Sequence, residues 1–199
     1  MEYYDDPANI EAYVQMADGY DGRHLMPFLR KHLMRCSRLL ELGMGPGVDL
    51  DLLAEEYVVT GSDRSALFLE RYRRDHPGAD LVLLDARMMD IERRFDCIYS
   101  NKVLQHLTRS EVIESLRRQA KVIVEDGILF HAVWYGEGEE EHSGLRTIYY
   151  KEDDFTDLVG SELEIVESGR YAEIEPGDSL YVVLKRVAVS LRSPDSDAH

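Results

Sequence analysis

Short apolar runs alternate with amphipathic segments along most of this chain, and that alternation restricts its fold more than any other feature. The predicted strands are residues 37–43, 57–63, 79–85, 95–101 and 127–135. The predicted helices between them, with apolar residues at helical spacing, are 48–57, 65–77 and 108–123. Nearly continuous apolar strands are typical of sheets covered on both faces. The order therefore predicts a doubly wound, mostly parallel α/β sheet.

The two ends of the chain differ from this middle part. Residues 7–35 have a helical pattern broken near Gly19 and Gly22, which predicts N-terminal helices within residues 1–36. Two strands at 162–174 and 179–189, separated by a Pro-Gly turn, predict a C-terminal antiparallel hairpin. The hairpin would complete a seven-stranded, Rossmann-like sheet in one domain, 1–187. The polar residues 188–199 are expected to form a flexible tail.

Composition excludes several classes of function. The chain has 199 residues and a formal net charge of −16, which disfavours binding to nucleic acid or anionic lipid. The apolar runs are too short to span a bilayer, and the first residues lack the pattern of a secretory signal. Its two cysteines lie in apolar patterns and are expected to be reduced, as in a cytoplasmic protein.

A glycine-rich turn, Gly43-Met44-Gly45-Pro46-Gly47, follows the first predicted strand. In a doubly wound sheet, ligands bind beyond the carboxyl ends of the strands, so this turn is either a ligand loop or only a tight turn. The dinucleotide fingerprint requires a small residue where this chain has Val48, and no lysine follows as in a phosphate-binding loop. Glu41 would repel a pyrophosphate and suits a positively charged ligand such as an ammonium or sulfonium group.

Polar residues end the next three predicted strands as well. Asp63 ends the second strand and has the position of a carboxylate that accepts both hydroxyl groups of a ribose. Asp85 and Ala86 end the third strand, where a side chain and a backbone amide can meet an adenine. Ser100 and Asn101 end the fourth. Each acid taken alone is equally well explained as a helix cap.

Together these motifs resemble the class I S-adenosylmethionine-dependent methyltransferases. The resemblance rests on "LLELGMGPG", "VVTGSD", "LVLLDA" and "FDCIYSNKVLQHL", which occur in the family's order, one at each strand. It implies S-adenosylmethionine as cofactor and S-adenosylhomocysteine as product. It also implies that the cofactor is bound by Glu41, Gly43, Gly45, Gly47, Asp63, Asp85, Ala86, Ser100 and Asn101. In this family an N-terminal helix often covers the cofactor, which makes Tyr13, Tyr20 and Arg23 candidates to close the pocket.

His106 is the candidate catalytic base, because it follows the fourth strand and the family often has a histidine nearby. The alternative is a histidine packed in a helix. His131 and Trp134 differ by three positions on the fifth strand, so at most one is expected to face the site. His106, His131 and His142 lack the paired spacing of metal ligands, and no metal is predicted.

A small molecule is the expected methyl acceptor. The fourth strand lacks the Asn/Asp-Pro-Pro-Tyr/Phe segment of methylases that act on nucleobases or glutamine, and "SNKV" stands there instead. The acidic loop 136–144 is either a solvated loop or a lid. Two alternatives stay open: a protein that binds the cofactor or its product without catalysis, and a nicotinamide-dependent oxidoreductase. The edge hairpin also leaves a homodimer open.

Overall fold

A seven-stranded sheet forms the centre of the molecule, in a computed structural model that describes residues 4, 6–17, 19–142 and 144–187. The strands are β1 (Arg38–Leu42), β2 (Val58–Asp63), β3 (Leu81–Leu83), β4 (Phe95–Asn101), β5 (Ile123–Trp134), β8 (Leu163–Tyr171) and β9 (Ser179–Arg186). Their spatial order is β3-β2-β1-β4-β5-β9-β8. Strands β1 to β5 pair in parallel, whereas β9 is antiparallel to both β5 and β8. The predicted fold class and C-terminal hairpin are confirmed.

Helices cover both faces of this sheet. They are α1 (Pro7–Met16), α2 (Met26–Leu29), α3 (Val48–Ala54), α4 (Ala66–Asp75), α5 (Arg109–Val122) and α6 (Glu152–Leu158), with short 3-10 turns at Gly22–His24 and Leu104–His106. Helix α5 begins where its capping box predicted, since Thr108 and Glu111 bond each other's backbone amides. One core lies under α5 and α6, and a second lies under the N-terminal segment. The central strands β1, β4, β5 and β9 are therefore mostly buried on both faces, whereas β3 and β8, at the two edges, are partly exposed.

Two segments differ from the prediction. The helical pattern of residues 7–35 is realised only in part, because the chain turns at Gly22–His24 and α2 has four residues. Part of the acidic loop 136–144 is a strand, β6 (Glu139–His142), which pairs with β7 (Leu145–Ile148) in a separate hairpin. The strand β6 was not predicted because its residues are three consecutive glutamates and a histidine, which lack the usual pattern of a strand. Its partner β7 follows almost directly in the chain. The predicted tail 188–199 lies outside the described residues.

The direction of chain crossover reverses between β1 and β4, which are neighbours at the centre of the sheet. At such a switch point the loops after the two strands turn to opposite sides and leave a crevice at their carboxyl ends. The glycine turn follows β1, and Asn101 ends β4. The topology therefore brings these predicted site residues to one edge of the sheet.

Candidate functional site

The turn after β1 has an unusual backbone. Gly43, Gly45 and Gly47 have φ angles of 67°, 49° and 89°, a left-handed conformation that L side chains rarely adopt. A Cβ atom on Gly43 would lie 2.6 Å from Val103 Cγ2, so packing also requires glycine there. At Gly45 the nearest atom to such a Cβ would be Tyr13 Cε1, at 3.5 Å, which is ordinary contact. The turn therefore exposes its backbone where the chain leaves the sheet.

Asp63, at the end of β2, ties this turn to the neighbouring strand. Its Oδ2 accepts a hydrogen bond from the amide of Gly45 at 2.9 Å, and its Oδ1 accepts one from the amide of Ser65 at 2.8 Å. Burial raises the pKa of Asp63, and these backbone hydrogen bonds oppose that rise. The carboxylate is therefore held in a fixed orientation beside the glycine turn.

A cavity of about 440 Å³ opens beside Asp63 and the glycine turn. Its volume is in the range typical of small-molecule sites. Eight predicted site residues line it: Tyr13, Gly43, Gly45, Asp63, Asp85, Ala86, Asn101 and His106. It extends from the ends of β2 and β3, past β4, to the β6–β7 hairpin, which contributes Glu141, Leu145 and Arg146. One continuous cavity thus joins the ends of the central strands to the β6–β7 hairpin.

Aromatic rings from the N-terminal segment close one side of the cavity. Tyr13 of α1 packs edge-on against Tyr4 and Phe68, with ring centroids 5.6 and 5.7 Å apart. The Tyr4 carbonyl also accepts a hydrogen bond from Ser65 Oγ. Tyr20, in contrast, is 49 % exposed and does not line the cavity, and neither does Arg23, which pairs with Asp21. Of the three residues predicted to close the pocket, Tyr13 lines the cavity, and Tyr20 and Arg23 do not.

Asp85 already has a partner within the protein. Both its carboxylate oxygens accept hydrogen bonds from the Arg87 guanidinium, at 2.6–3.0 Å, and the Arg87 amide donates a further one. Burial alone would raise the pKa of Asp85, but the bonds from Arg87 bring it below its usual value. Any ligand amine that bonds to Asp85 therefore shares the carboxylate with the Arg87 guanidinium.

Glu41 and Asn101 each have an unpaired oxygen atom. Glu41 Oε2 and Asn101 Oδ1 are buried and have no hydrogen-bond partner within the described residues. Burial raises the pKa of Glu41 well above its usual value, and the charges of Asp49 and Asp63 add to that rise. Buried acceptors without donors are costly, so this end of the site suits a cationic or N–H group.

His106 is held by the hairpin across the cavity. Its Nδ1 lies 2.6 Å from the carbonyl oxygen of Arg146, and since a carbonyl only accepts, Nδ1 carries the proton. In the neutral ring Nε2 then has the free lone pair. Burial lowers the pKa of His106, and the carbonyls of Arg146 and Lys102 only partly oppose this. The ring is therefore neutral near pH 7 and fit to accept a proton.

Three other predicted cofactor-binding residues, Glu41, Gly47 and Ser100, do not line the cavity. Ser100 is fully buried, and its Oγ lies 2.8 Å from Nδ1 of His131, which is also fully buried. Burial lowers the pKa of His131 to about 3, so its ring is neutral. Neither His131 nor Trp134 lines the cavity. Because neighbouring residues of a strand point to opposite faces, β4 presents Asn101 to the site and turns Ser100 into the core.

A comparison with known families finds one match in the middle of the chain. Residues 39–127, under half of the chain, match the model of a methyltransferase domain. The matched segment contains the glycine turn, Asp63, Asp85, Asn101 and His106. This part of the chain is therefore similar to methyltransferase domains, as the four sequence motifs predicted.

Two curated methyltransferases are similar in sequence to parts of this chain. A Streptomyces fradiae dTDP-3-amino-3,6-dideoxy-alpha-D-glucopyranose N,N-dimethyltransferase is 29% identical over 143 residues, which are 67% of this chain and 55% of that protein. A Rhizobium rhizogenes trans-aconitate 2-methyltransferase is 35% identical over 78 residues, 38% of this chain and 30% of the relative. The chain therefore spans about half or less of the length of these curated relatives.

A solved methyltransferase structure has the same fold. It is the Burkholderia thailandensis 1,6-didemethyltoxoflavin-N1-methyltransferase with bound 1,6-didemethyltoxoflavin and S-adenosylhomocysteine. The TM-score is 0.74 at 21% identity, and the match covers 89% of this chain and 83% of that chain. The likeness confirms the architecture.

Several residues at the site were not predicted from the sequence. Tyr4, Arg64, Phe68 and Arg87 line the cavity on the side of β2 and β3. Asp49 of α3 lies in the run "VDLDLL", where a buried carboxylate could have been suspected from its place directly after the glycine turn. The sequence marked the loop 136–144 as either a solvated loop or a lid, but it singled out neither Glu141 nor Arg146 as a site residue. No group of three His, Cys, Asp or Glu side chains suited to a metal ion occurs in the described part of the chain.

The glycine turn gives a testable prediction through two matched substitutions. We expect Gly45→Ala to weaken binding of S-adenosylhomocysteine about tenfold or more, because the methyl group strains a left-handed residue that lines the cavity. Gly19→Ala is the control, since Gly19 has φ 84°, free space around it and no place in the cavity. Calorimetric titration measures both affinities, and equal effects of the two variants would contradict a ligand role for the turn.

Proposed function

We propose that this chain transfers a methyl group from S-adenosylmethionine to a small-molecule acceptor. The observation that carries the proposal is the continuous cavity, which joins the glycine turn and Asp63 at one end to His106 and the hairpin at the other. The match of residues 39–127 to a methyltransferase domain supports it. When bound, S-adenosylmethionine supplies an electrophilic methyl group on its sulfonium sulfur.

The residues present fit this cofactor. Asp63 offers a fixed carboxylate for the ribose hydroxyls, and the cavity wall at Asp85 and Ala86 suits the adenine. The unpaired oxygen of Asn101, which lines the cavity, suits the ammonium of an amino-acid group. Tyr13 covers the site from α1. Glu41, Gly47 and Ser100 are assigned no direct contact, since none of them lines the cavity.

His106 is proposed as the general base. Its Nδ1–H is fixed by the Arg146 carbonyl, which leaves Nε2 to take a proton from an attacking N–H or O–H group. Cavity walls that hold the acceptor in line with the methyl group and exclude water contribute the remaining barrier reduction. The base is needed because an acceptor that arrives protonated becomes more acidic as it is methylated.

Three observations support a small acceptor. The β6–β7 hairpin lies against the turn that carries His106 and lines that end of the cavity, which leaves limited room there. The formal charge of −16 repels nucleic acids. The printed names of the relatives from Streptomyces and Rhizobium describe methylation of a nucleotide sugar and of trans-aconitate. The described residues contain no helix long and apolar enough to cross a membrane.

The experiment is an acceptor screen. The purified chain is incubated with S-adenosylmethionine and a panel of small amines, alcohols and carboxylic acids, with RNA, DNA and unfolded protein as further acceptors. We expect mass spectrometry to detect a singly or doubly methylated small molecule together with S-adenosylhomocysteine. Methylation of only the macromolecules would contradict the small acceptor. Binding of S-adenosylhomocysteine with no methyl transfer to any acceptor would favour a non-catalytic binding protein.

A further inference from the structure

We propose that Asp49 is a positioning residue for the amino-acid end of the cofactor site: it orients the side chain of Asn101 and anchors the N-terminal segment at Gly22. The proposal rests on the proposed function and deepens it. Asp49 is the second residue of α3, directly after the glycine turn, and only 9 % of it is exposed. It does not itself line the cavity.

Three donors meet at this carboxylate, one from the Gly22–His24 turn and two from β4. The Gly22 amide donates to Oδ1 at 2.5 Å, while Tyr99 Oη and Asn101 Nδ2 donate to Oδ2 at 2.9 and 3.1 Å. No Lys, Arg or His among the described residues lies within ion-pair distance of Asp49. Hydrogen bonds rather than a cation therefore hold the buried charge, as buried carboxylates require.

The bond to Asp49 decides which way Asn101 faces. An ionised carboxylate only accepts hydrogen bonds, so the NH₂ group of Asn101 must point to Asp49. Its Oδ1 then points away, and this atom is buried and without a partner in the described part of the chain, on a residue that lines the cavity. Asp49 thereby presents an acceptor, not a donor, to the ligand.

The unpaired oxygen of Asn101 suits an ammonium group, which has three donors. A neutral nucleoside offers no ammonium, so this acceptor is specific to the amino-acid end of the ligand. Glu41, on the neighbouring strand β1, pairs in register with Tyr99 and has a buried Oε2 without a partner among the described residues, but it does not line the cavity.

The N-terminal segment packs directly on the same carboxylate. A Cβ atom on Gly22 would lie 2.5 Å from Tyr99 Oη and 2.6 Å from Asp49 Oδ2, so only glycine permits this approach. The segment continues back along the chain to α1, whose Tyr13 lines the cavity. Asp49 thus connects the covering segment to the strand end that contacts the ligand.

The test compares two ligands that differ only in the amino-acid end. S-adenosylhomocysteine carries it, and 5′-methylthioadenosine has the same thionucleoside without it. For Asp49→Asn we expect the affinity for S-adenosylhomocysteine to fall about tenfold to a hundredfold, the range for hydrogen bonds to charged groups, and that for 5′-methylthioadenosine to stay within about twofold. Hydrogen exchange of residues 20–25 should also become faster.

Asp51→Asn is the matched control, because Asp51 lies on the same helix but bonds to Tyr72 and does not line the cavity. It should change neither affinity nor exchange at 20–25. If Asp49→Asn fails to fold, Asn101→Ala is measured in its place. We expect this variant to lose affinity for S-adenosylhomocysteine by the same factor and to keep its affinity for 5′-methylthioadenosine. Equal losses for both ligands, or none, would overturn the role of Asp49. Failure of the unaltered chain to bind either ligand would instead refute the proposed function.

Discussion

Asp63→Asn is expected to weaken binding of S-adenosylhomocysteine by about a hundredfold. A neutral amide cannot replace the carboxylate that accepts from Gly45 and Ser65, since one of its two ends is a donor that would face a backbone N–H. It also gives weaker hydrogen bonds to ribose hydroxyls than a charged acceptor does, and such bonds contribute about 1.5–3 kcal/mol each. Loss of one or two such hydrogen bonds corresponds to a loss of affinity of about a hundredfold. Calorimetric titration measures it.

Asp80→Asn is a suitable control for this experiment. Asp80 also lies next to a strand of the same sheet, but it is bound by Arg93 and Thr60 and does not line the cavity. We expect its replacement to leave the affinity for S-adenosylhomocysteine within about twofold of that of the unaltered chain, the range expected away from the site. A ribose role for Asp63 would be refuted by an unchanged affinity in a well-folded Asp63→Asn variant.

His106→Asn is expected to lower kcat by about a hundredfold to ten-thousandfold, the usual contribution of a general base. Asparagine keeps a donor that can reach the Arg146 carbonyl but has no basic nitrogen, so the hairpin should stay in place. Affinity for S-adenosylhomocysteine should not change. His106→Ala removes the hairpin contact as well, and a further rise in KM for the acceptor is expected only in that variant.

The pH dependence of kcat distinguishes a base from a structural histidine. Burial lowers the pKa of His106, so the neutral, active form already predominates at the ordinary histidine pKa of about 6.5. Activity should therefore fall only below that pH, as the ring becomes protonated, and this acidic limb should be absent from the residual activity of His106→Asn. An unchanged acidic limb in the variant would assign it to another group.

Most of the fold could be predicted because its central strands are mostly buried on both faces. An apolar run such as Leu39–Leu42, interrupted only by Glu41, has few alternatives to a central parallel strand, and the capping box at Thr108 marks the start of α5. The hairpin at Glu139–Ile148 could not be predicted in the same way. Its first strand is acidic, and it pairs with the strand that follows it in the chain rather than with the main sheet.

The candidate site was predicted where a side chain's position follows from the end of a strand. Asp63 and Asp85 both line the cavity for that reason. The choice between Ser100 and Asn101 depends on which face each residue takes, and the sequence does not set this without the register of β4 against β5. The proposed role of Asp49 could not be predicted for another reason. It depends on a contact with Gly22, which is distant in the chain, and the sequence does not reveal such contacts.

A crystal structure of the chain with S-adenosylhomocysteine decides whether this cavity is the cofactor site. We expect the ligand to occupy the cavity with its ribose hydroxyls on Asp63 and its ammonium at the unpaired oxygen of Asn101. His106 should face the sulfur end and remain free to meet an acceptor. A ligand bound elsewhere, or bound with its ribose away from Asp63, would refute the proposed cofactor site.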